Sequence, residues 1–312
     1  MTKKLSIFPE LPKREDSGHK GTYGTAILIA GSLGMGGAAV LAGTAALKTG
    51  AGLVRVLVPA PIQTTVASFR SEYTVLPLRA DRNGRISRNA FSQILPNITP
   101  NSALGIGPGL GRSLGLDVII QKIFKSLPIP AIFDADALNA LSYREWFIPL
   151  DRRDIFRDIP APSIAGPRIL TPHPGEFFRM SKIKLTADPK ERRESAIRFV
   201  RQQREIYHAD DDQIVLVLKG AGTVVTDGDQ VYVNETGNPG MGTGGAGDVL
   251  TGIITALVAQ KMRAFDAAVL GVALHGLAGD LAAESKGEIS LTAGDILEFL
   301  PEALSRSSTL RK

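Results

Sequence analysis

The sequence of 312 residues contains no cysteine. Disulfide bonds, thiolate metal sites and cysteine nucleophiles are therefore excluded. The N-terminal stretch MTKKLSIFPELPKRED lacks an apolar core of signal-peptide length. The longest apolar stretch, around Val249–Ala259, is too short to span a bilayer. We therefore expect a cytoplasmic protein without a membrane partner.

The charge balance is mildly basic, and no run of one sign stands out. Lys and Arg total 36 against 31 Asp and Glu, which gives a net charge of +5. This excess suits anionic ligands such as nucleotides, but the basic residues are too scattered to indicate nucleic acid. The densest group lies between Arg192 and Arg204 and is interleaved with glutamates, so we interpret it as the solvated face of a helix. We expect no nucleic-acid partner.

Short apolar segments alternate with helical patterns along most of the chain. Apolar runs without alternation are typical of strands that are covered on both faces. The predicted strands are Thr25–Ala30, Leu53–Val58, Ala103–Ile106, Ala131–Phe133, Arg168–Leu170 and Ile214–Leu218. The predicted helices include Gly37–Lys48, Asp188–His208, Ala264–Glu284 and Ala293–Leu304. This order predicts an α/β fold with a doubly wound, mostly parallel sheet and helices on both faces.

A hairpin and an insertion interrupt this alternation of strands and helices. Val224–Thr226 and Gln230–Val233 flank the turn residues Asp227-Gly228-Asp229, which predicts a β-hairpin at the end of the sheet. Ser142–Pro167 is rich in proline and charge, and we interpret it as a surface insertion. We predict one domain over residues 1–312, with an N-terminal extension at residues 1–16.

The strongest functional signal is the segment NPGMGTGGAGD, which runs from Asn238 to Asp248. Five glycines between positions 240 and 247 leave backbone N–H groups free to cradle a phosphate or another anion. A helix follows at once, and its N-terminus favours negative charge. Asp248 is then either a helix cap or a general base. The helix N-terminus predicts a lowered pKa for its carboxyl, and such a weak base suits a hydroxyl that is being phosphorylated.

Further glycine-rich or polar loops follow other predicted strands. They are Gly31–Ala38, Gly105–Gly111, Asp134 with Asp136, Thr171–Glu176 and Lys219–Thr223. Each has a simpler interpretation alone: His173 is a hydrogen-bonding tether, Lys219 belongs to a turn, and the aspartates cap helices. In open α/β sheets, however, the ligand cleft lies at the carboxyl ends of the strands. The shared placement therefore predicts one site.

Together the motifs resemble the ADP-dependent NAD(P)H-hydrate dehydratase family of the ribokinase-like superfamily. The resemblance extends over about residues 17–302. It rests on HKGTYG (His19–Gly24), GMGGAAVLAG (Gly34–Gly43), GPGLG (Gly107–Gly111), DADAL (Asp134–Leu138), LTPHPGEF (Leu170–Phe177), LKGAGTVV (Leu218–Val225), NPGMGTGGAGDVLTG (Asn238–Gly252) and LHGLAGD (Leu274–Asp280). Ala246 departs from the family pattern, in which serine or threonine is common, and one possible phosphate-binding hydroxyl is missing.

The resemblance implies a ribokinase-like fold and the repair of a damaged nicotinamide cofactor. NADH or NADPH that is hydrated at C6 would lose this water at the expense of ADP, or of ATP, with Mg²⁺. The C6 hydroxyl would be phosphorylated, and phosphate would then be eliminated. A homotetramer and a separate NAD(P)H-hydrate epimerase as functional partner are further expectations.

The resemblance also implies roles for particular residues. Asp248 is the expected catalytic base. The expected nucleotide contacts are Lys219, Gly220, Ala221, Gly222, Thr223 and Gly247. The expected contacts of the hydrated dinucleotide are Ala38, Gly109, His173 and Asp248, to which we add Asp134 and Asn238 from their loops.

Two alternatives remain open from the sequence. A kinase that phosphorylates a small alcohol and releases the phosphoester would use the same glycine-rich loop and Asp248. A nucleotide-sensing protein without catalysis would bind the same ligand, although loss of the aspartate would be its hallmark. The His173 and Lys219 loops favour the dehydratase.

Overall fold

The computed structural model describes residues 3–5, 8–142, 164–307 and 310. Ten strands within these ranges form one sheet: β1 (Lys3–Lys4), β2 (Thr25–Ile29), β3 (Leu53–Pro59), β4 (Thr74–Leu78), β5 (Ser102–Ile106), β6 (Ala131–Phe133), β7 (Arg168–Leu170), β8 (Ile214–Leu218), β9 (Val224–Thr226) and β10 (Gln230–Val233). Their order is β1-β10-β9-β8-β7-β6-β5-β2-β3-β4. Of the predicted insertion Ser142–Pro167, residues 143–163 lie outside the described ranges.

From β4 across the sheet to β8, each strand runs parallel to the next. β9 is antiparallel to both β8 and β10, and β1 pairs in parallel with β10. The mostly parallel sheet and the hairpin are therefore confirmed. The sequence did not predict β4, an edge strand that contains Pro77. It did not predict β1 either, which lies within the N-terminal extension.

Helices cover both faces of the sheet, as predicted. They are α1 (Gly36–Lys48), α2 (Gln63–Ala67), α3 (Phe91–Ile94), α4 (Leu114–Ser126), α5 (Ala135–Ser142), α6 (Pro174–Ser181), α7 (Pro189–Tyr207), α8 (Ala246–Ala259), α9 (Ala264–Lys286) and α10 (Ala293–Ser305). Buried residues of α1, α2 and α8–α10 form the core on one face, and those of α3–α7 form the core on the other. The strands thus lie between two apolar layers.

Helices α1 and α8 pack closely because Gly252 lies at their contact. A Cβ at this position would be only 2.2 Å from the backbone oxygen of Ala42. Only glycine fits this separation without moving one of the helices. The close packing holds the N-termini of both helices at the same end of the sheet.

Helix α9 is the one helix in the described part of the chain that is long and apolar enough to cross a membrane. Its apolar window is 78% buried inside the protein, where it packs against α8 and α10. Burial among other helices is the environment of a core helix. The sequence predicted this helix over Ala264–Glu284, but it was Val249–Ala259, a segment of α8, that was named as the longest apolar stretch.

The arginines of α7 contradict the prediction of a purely solvated helix face. Arg192 donates hydrogen bonds to the backbone oxygens of Leu218 and Lys219, at 3.0 and 2.7 Å. Arg204 forms an ion pair with Asp229 in the hairpin turn, at 2.6 Å. The physical reason is that α7 packs along β8 and β9, whose adjoining loops supply backbone oxygens and carboxylates as acceptors.

Arg168 in β7 is fully buried, with 0% of its surface exposed. Its guanidinium donates hydrogen bonds to the backbone oxygens of Phe124 and Leu127, both at 2.6 Å, where α4 ends. Further bonds reach the backbone oxygens of Ile123, Ile129 and Pro167. Burial lowers the pKa of Arg168 to about 9, so the side chain stays charged at neutral pH. A cation at a helix C-terminus satisfies carbonyls that the helix itself leaves unpaired.

We predict that Arg168→Met destabilises the fold. Several buried carbonyl oxygens would lose their donors, and each such loss costs about 1–3 kcal/mol. The free energy of unfolding, measured by urea denaturation, should fall by at least about 3 kcal/mol. The matched control is Arg70→Met, at an exposed position, where a change within about 0.5 kcal/mol is expected. Equal effects of the two substitutions would contradict this account.

Candidate active site

Five loops meet at one edge of the sheet. They follow β2, β5, β6, β7 and β8, which are neighbours in the sheet and all parallel. The N-terminus of α8 lies at the same edge, because a Cβ on Gly247 would be 3.3 Å from Nζ of Lys219 and 3.5 Å from Oδ2 of Asp134. The expected convergence of the loops is therefore confirmed.

The glycine-rich loop ends where α8 begins, at Ala246. Gly245, which precedes the helix, has a φ of +92°, a conformation that favours glycine. No side chain of the described residues caps this helix N-terminus. A Cβ on Gly244 would meet no atom within 4 Å, so the loop is open on that side. The Ala246 N–H donates to the backbone oxygen of Thr243 at 3.4 Å. The N–H groups of Gly247 and Asp248, which follow in the first turn, are available to an anion.

Helix α9 anchors the beginning of the glycine-rich loop. The Asp280 carboxylate accepts hydrogen bonds from the backbone N–H of Gly237, at 2.8 Å, and from Nδ2 of Asn238, at 3.0 Å. Oδ1 of Asn238 accepts the N–H of Gly240 at 3.0 Å. The Asn238 side chain, expected to contact the hydrate, thus holds the loop in this structure. The sequence reasoning missed Asp280, although the LHGLAGD motif contains it.

An ion pair between Lys219 and Asp134 lies beneath the first turn of α8. Nζ of Lys219 is 2.6 Å from Oδ1 of Asp134. The second carboxylate oxygen, Oδ2, accepts a hydrogen bond from Thr251 of α8 at 2.9 Å. Asp134 is only 1% exposed. Both oxygens of Asp134 are thus engaged within the protein, where they position Lys219 and α8. The expected contact of Asp134 with the substrate stays a prediction.

Asp248 lies in the first turn of α8 and is half-buried. Burial is the main cause that raises its carboxyl pKa to about 7, and the negative charges of Asp134 and Asp136 add to it. The cation of Lys219 acts in the opposite direction. The carboxyl is thus poised to exchange a proton near neutral pH.

This pKa contradicts the lowered value that the sequence predicted for Asp248. The prediction considered only the helix N-terminus, which contributes about 0.3–1 kcal/mol, less than one pKa unit. Desolvation can raise the pKa of a buried carboxyl by up to about 3–5 units. Burial and the neighbouring carboxylates therefore outweigh the helix. The result is a stronger base than we expected.

His173 begins α6 and caps it. Its Nδ1 accepts the backbone N–H of Gly175 at 3.0 Å, and Oε2 of Glu176 accepts the backbone N–H of His173 at 2.8 Å, which forms a capping box. Since Nδ1 is an acceptor, a neutral His173 carries its hydrogen on Nε2. Its side chain is 51% exposed. His173 is thus a tether, and its ring can also offer a ligand a hydrogen-bond donor.

Ala38 and Gly109, two expected hydrate contacts, lie against each other. Gly109 has a φ of +61°, and a Cβ there would be 2.8 Å from Cβ of Ala38. The Ser32 hydroxyl donates to the backbone oxygen of Gly109 at 2.8 Å, and Asp136 accepts the N–H of Gly111 at 2.8 Å. The loops after β2, β5 and β6 are thereby locked together. Asp136 is part of this scaffold.

The loop Lys219–Thr223 forms a tight turn beside a cavity. Gly220 and Gly222 have φ values of +134° and +61°, and the Thr223 hydroxyl donates to the oxygen of Gly220 at 2.9 Å. The cavity has a volume of about 810 Å³ and is lined by Ala221, Gly222, Val224, Val233, Arg192, Arg193 and residues 186–190. Ligand sites of about 300–1,000 Å³ are typical for small molecules. A nucleotide base and ribose would fit this volume.

The described residues contain no group of three or more His, Cys, Asp or Glu side chains that could hold a metal ion. Mg²⁺ commonly binds through one or two carboxylates together with substrate phosphates.

Comparisons with known proteins agree with this architecture. The sequence profile of NAD(P)H-hydrate dehydratase matches residues 26–302. The ADP-dependent (S)-NAD(P)H-hydrate dehydratase of Bacillus subtilis is 33% identical, over 95% of this chain and 94% of that protein. A bifunctional NAD(P)H-hydrate repair enzyme of Moorella thermoacetica is 43% identical over 95% of this chain and 52% of its own length. The crystal structure of the Bacillus subtilis ADP/ATP-dependent NAD(P)H-hydrate dehydratase, co-crystallised with ATP and Mg²⁺, has a TM-score of 0.76 at 30% identity, covering 97% of this chain and 99% of that chain.

The sheet order and the loop at the start of α8 define a ribokinase-like α/β protein with an anion site. Within this class, the chain belongs to the NAD(P)H-hydrate dehydratase family. The resemblance inferred from the motifs is therefore confirmed. The chain spans about half the length of the bifunctional relatives, 52% in the Moorella thermoacetica protein.

We predict that the Asp248 carboxyl titrates near pH 7, as the raised pKa of about 7 requires. The ¹³C chemical shift of labelled aspartate carboxyls would follow this step, with Asp248→Asn identifying the signal. Lys219→Met should move the midpoint to higher pH, because it removes the cation that favours the carboxylate. Asp295 is the internal control, since hydrogen bonds from Lys286 and Thr292 lower its pKa to about 2. A midpoint near the ordinary value of 3.8 would contradict the analysis.

Proposed function

We propose that this protein dehydrates (6S)-NADH hydrate and (6S)-NADPH hydrate to the reduced cofactors, with ADP or ATP as the phosphoryl donor. The observation that carries this proposal is the position of Asp248, in the first turn of α8 beside an open, uncapped glycine loop. Such a site combines a base with N–H donors for a transferring phosphoryl group. Family membership supports the choice of substrate.

In the first step, Asp248 accepts the proton of the C6 hydroxyl as the hydroxyl oxygen attacks the terminal phosphorus of the nucleotide. A pKa of about 7 places the base near the operating pH, where proton transfer is most effective. N–H groups in the first turn of α8, such as those of Gly247 and Asp248, would stabilise the charge that develops on the phosphoryl oxygens. With ADP, the leaving group is AMP.

In the second step, the C6–O bond breaks and inorganic phosphate leaves. The ring nitrogen lone pair assists this departure. The C5 proton then passes to water, and the C–H electron pair forms the C5=C6 double bond. ADP and hydrate are thus converted to AMP, phosphate and the reduced cofactor. No oxidant or reductant is needed, because the ring loses only the elements of water.

The nucleotide would contact the loop from Lys219 to Thr223. Its phosphates would lie at Gly247, where the Lys219 ammonium supplies positive charge beneath the α8 turn. Its base and ribose would enter the cavity of about 810 Å³ at Ala221 and Gly222. Mg²⁺ bound to the phosphates would screen their charge during the transfer.

The hydrated dinucleotide would occupy the part of the edge formed by Ala38, Gly109 and His173. Ala38 and Gly109 are in close contact here, and the side chain of Met35 lies beside them. The exposed Nε2–H of His173 can donate to a polar group of the substrate. The charges of Asp136, beside this region, and of Lys219, in the nucleotide loop, both act on the Asp248 carboxyl.

The proposal also includes the location, the oligomeric state and the partner enzyme of the protein. We infer a cytoplasmic homotetramer that works with a separate NAD(P)H-hydrate epimerase, which would convert the R hydrate into the S form. The bifunctional repair enzymes among the relatives support such a pairing of activities. Most of the apolar window of α9 is buried inside the fold, in keeping with a protein that needs no membrane.

The proposal predicts that hydrated NADH regains the reduced-nicotinamide absorbance when ADP and Mg²⁺ are present. AMP and phosphate should form in equal amounts with NADH, and omission of the nucleotide should abolish the recovery. Accumulation of a stable phosphorylated product would instead favour the small-alcohol kinase. Nucleotide binding without any turnover would favour the sensing protein.

We predict that Asp248→Asn keeps the fold and the nucleotide site but loses the chemistry. Asparagine has nearly the same shape, so α8 should begin at the same residue. Loss of the base should lower turnover by about 10²–10⁴-fold. The thermal shift that ADP causes should remain, since the N–H groups of the loop are unchanged. Turnover within a few-fold of the parent would show that Asp248 is not the base.

A further inference from the structure

We propose that Glu176 is a positioning residue that couples the nucleotide loop to the hydrate loop, because one buried carboxylate faces both Lys219 and His173. This inference rests on the proposed function. Neither the motifs nor the proposed mechanism assigns Glu176 a role.

The geometry places Glu176 between two loops. Its side chain is only 6% exposed. Oε1 lies 3.5 Å from Nε2 of His173, and Oε2 lies 4.0 Å from Nζ of Lys219. His173 follows β7 and Lys219 follows β8, which is the adjacent strand. The two sites that we assigned to different ligands are thus joined through one side chain.

The helix cap alone does not require a charge at this position. A capping box works with glutamine as well as with glutamate. Burial raises the pKa of Glu176, whereas the positive charge of Lys219 lowers it, so the carboxylate depends on that neighbour. A buried carboxylate is costly unless it is paired. The charge therefore serves the contacts with Lys219 and His173.

Nucleotide binding would alter the balance between burial and the positive charge of Lys219 that sets the charge of Glu176. The Lys219 ammonium bonds to Asp134 at 2.6 Å and lies at the first turn of α8, where phosphates are expected. Phosphate oxygens would compete with Asp134 and Glu176 for the ammonium. Glu176 would then lose part of the positive charge that favours its ionised form, and its attraction for the Nε2–H of His173, 3.5 Å away, would weaken. This N–H would be released to the hydrate once the nucleotide is in place.

The coupling is measurable as a linkage between two ligands. The dissociation constant of ADP would be determined by calorimetry with and without saturating NADPH, the reaction product, and the reverse titration would be made with saturating ADP. In the parent protein, each ligand should tighten the other by at least about fivefold, with the same factor in both directions. In Glu176→Gln, which preserves the capping acceptor but removes the charge, the factor should fall to about one.

Two further variants make the result decisive. Glu194→Gln, at an exposed position on α7, is the matched charge control and should keep the parent linkage. If Glu176→Gln fails to fold, His173→Asn replaces it, since asparagine also caps helices. His173→Asn should bind ADP alone like the parent but lose the linkage. A purely structural role of Glu176 would change stability without changing the linkage factor.

The possible failures are distinguishable. Parent protein that binds both ligands without linkage, or Glu176→Gln with the full parent linkage, would overturn the coupling role. The same holds for His173→Asn if it retains the full linkage. Parent protein that binds neither ADP nor NADPH would overturn the proposed function instead.

Discussion

The Lys219 ammonium, 2.6 Å from a nearly inaccessible Asp134 carboxylate, is the interaction on which the rest of the site depends. Thr251 holds the other carboxylate oxygen from within α8, so the pair joins β6, β8 and the helix that carries Asp248. Position 247 is glycine at the place where these two side chains lie against the helix. Both charges also act on the Asp248 carboxyl, in opposite directions. One ion pair thus positions the helix that carries the base, and its two charges also help to set the pKa of that base.

The parallel sheet explains why these groups meet. Five neighbouring strands end at the same edge, and a loop of the candidate site follows each of them. Helix α9 holds the glycine loop through Asp280, and α1 holds α8 through the close contact at Gly252. The N–H groups that would receive a phosphate are therefore fixed before any ligand arrives. Preorganised donors of this kind stabilise developing charge without reorganisation during the reaction.

Local patterns predicted every described strand except β1 and β4, most of the longer helices and the loops that form the edge, because apolar runs and glycine clusters act over a few residues. They did not predict the pKa of Asp248, because burial and Asp134, 114 positions earlier in the chain, outweigh the helix N-terminus. They also did not predict the internal hydrogen bonds of Asp134 and Asn238, for the same reason. Their partners, Lys219 and Asp280, are distant in sequence. Long-range contacts of polar side chains are what a single sequence does not reveal.

The central claim is that the C6 hydroxyl is phosphorylated before it leaves. Hydrated NADH prepared in H₂¹⁸O carries the isotope in this hydroxyl, so the label can be followed through one turnover with unlabelled ADP. The account predicts that each inorganic phosphate released contains one ¹⁸O atom from the hydrate, detectable by mass spectrometry or ³¹P NMR. Unlabelled phosphate, with the isotope recovered in water, would contradict it and show that the nucleotide acts without phosphorylating the substrate.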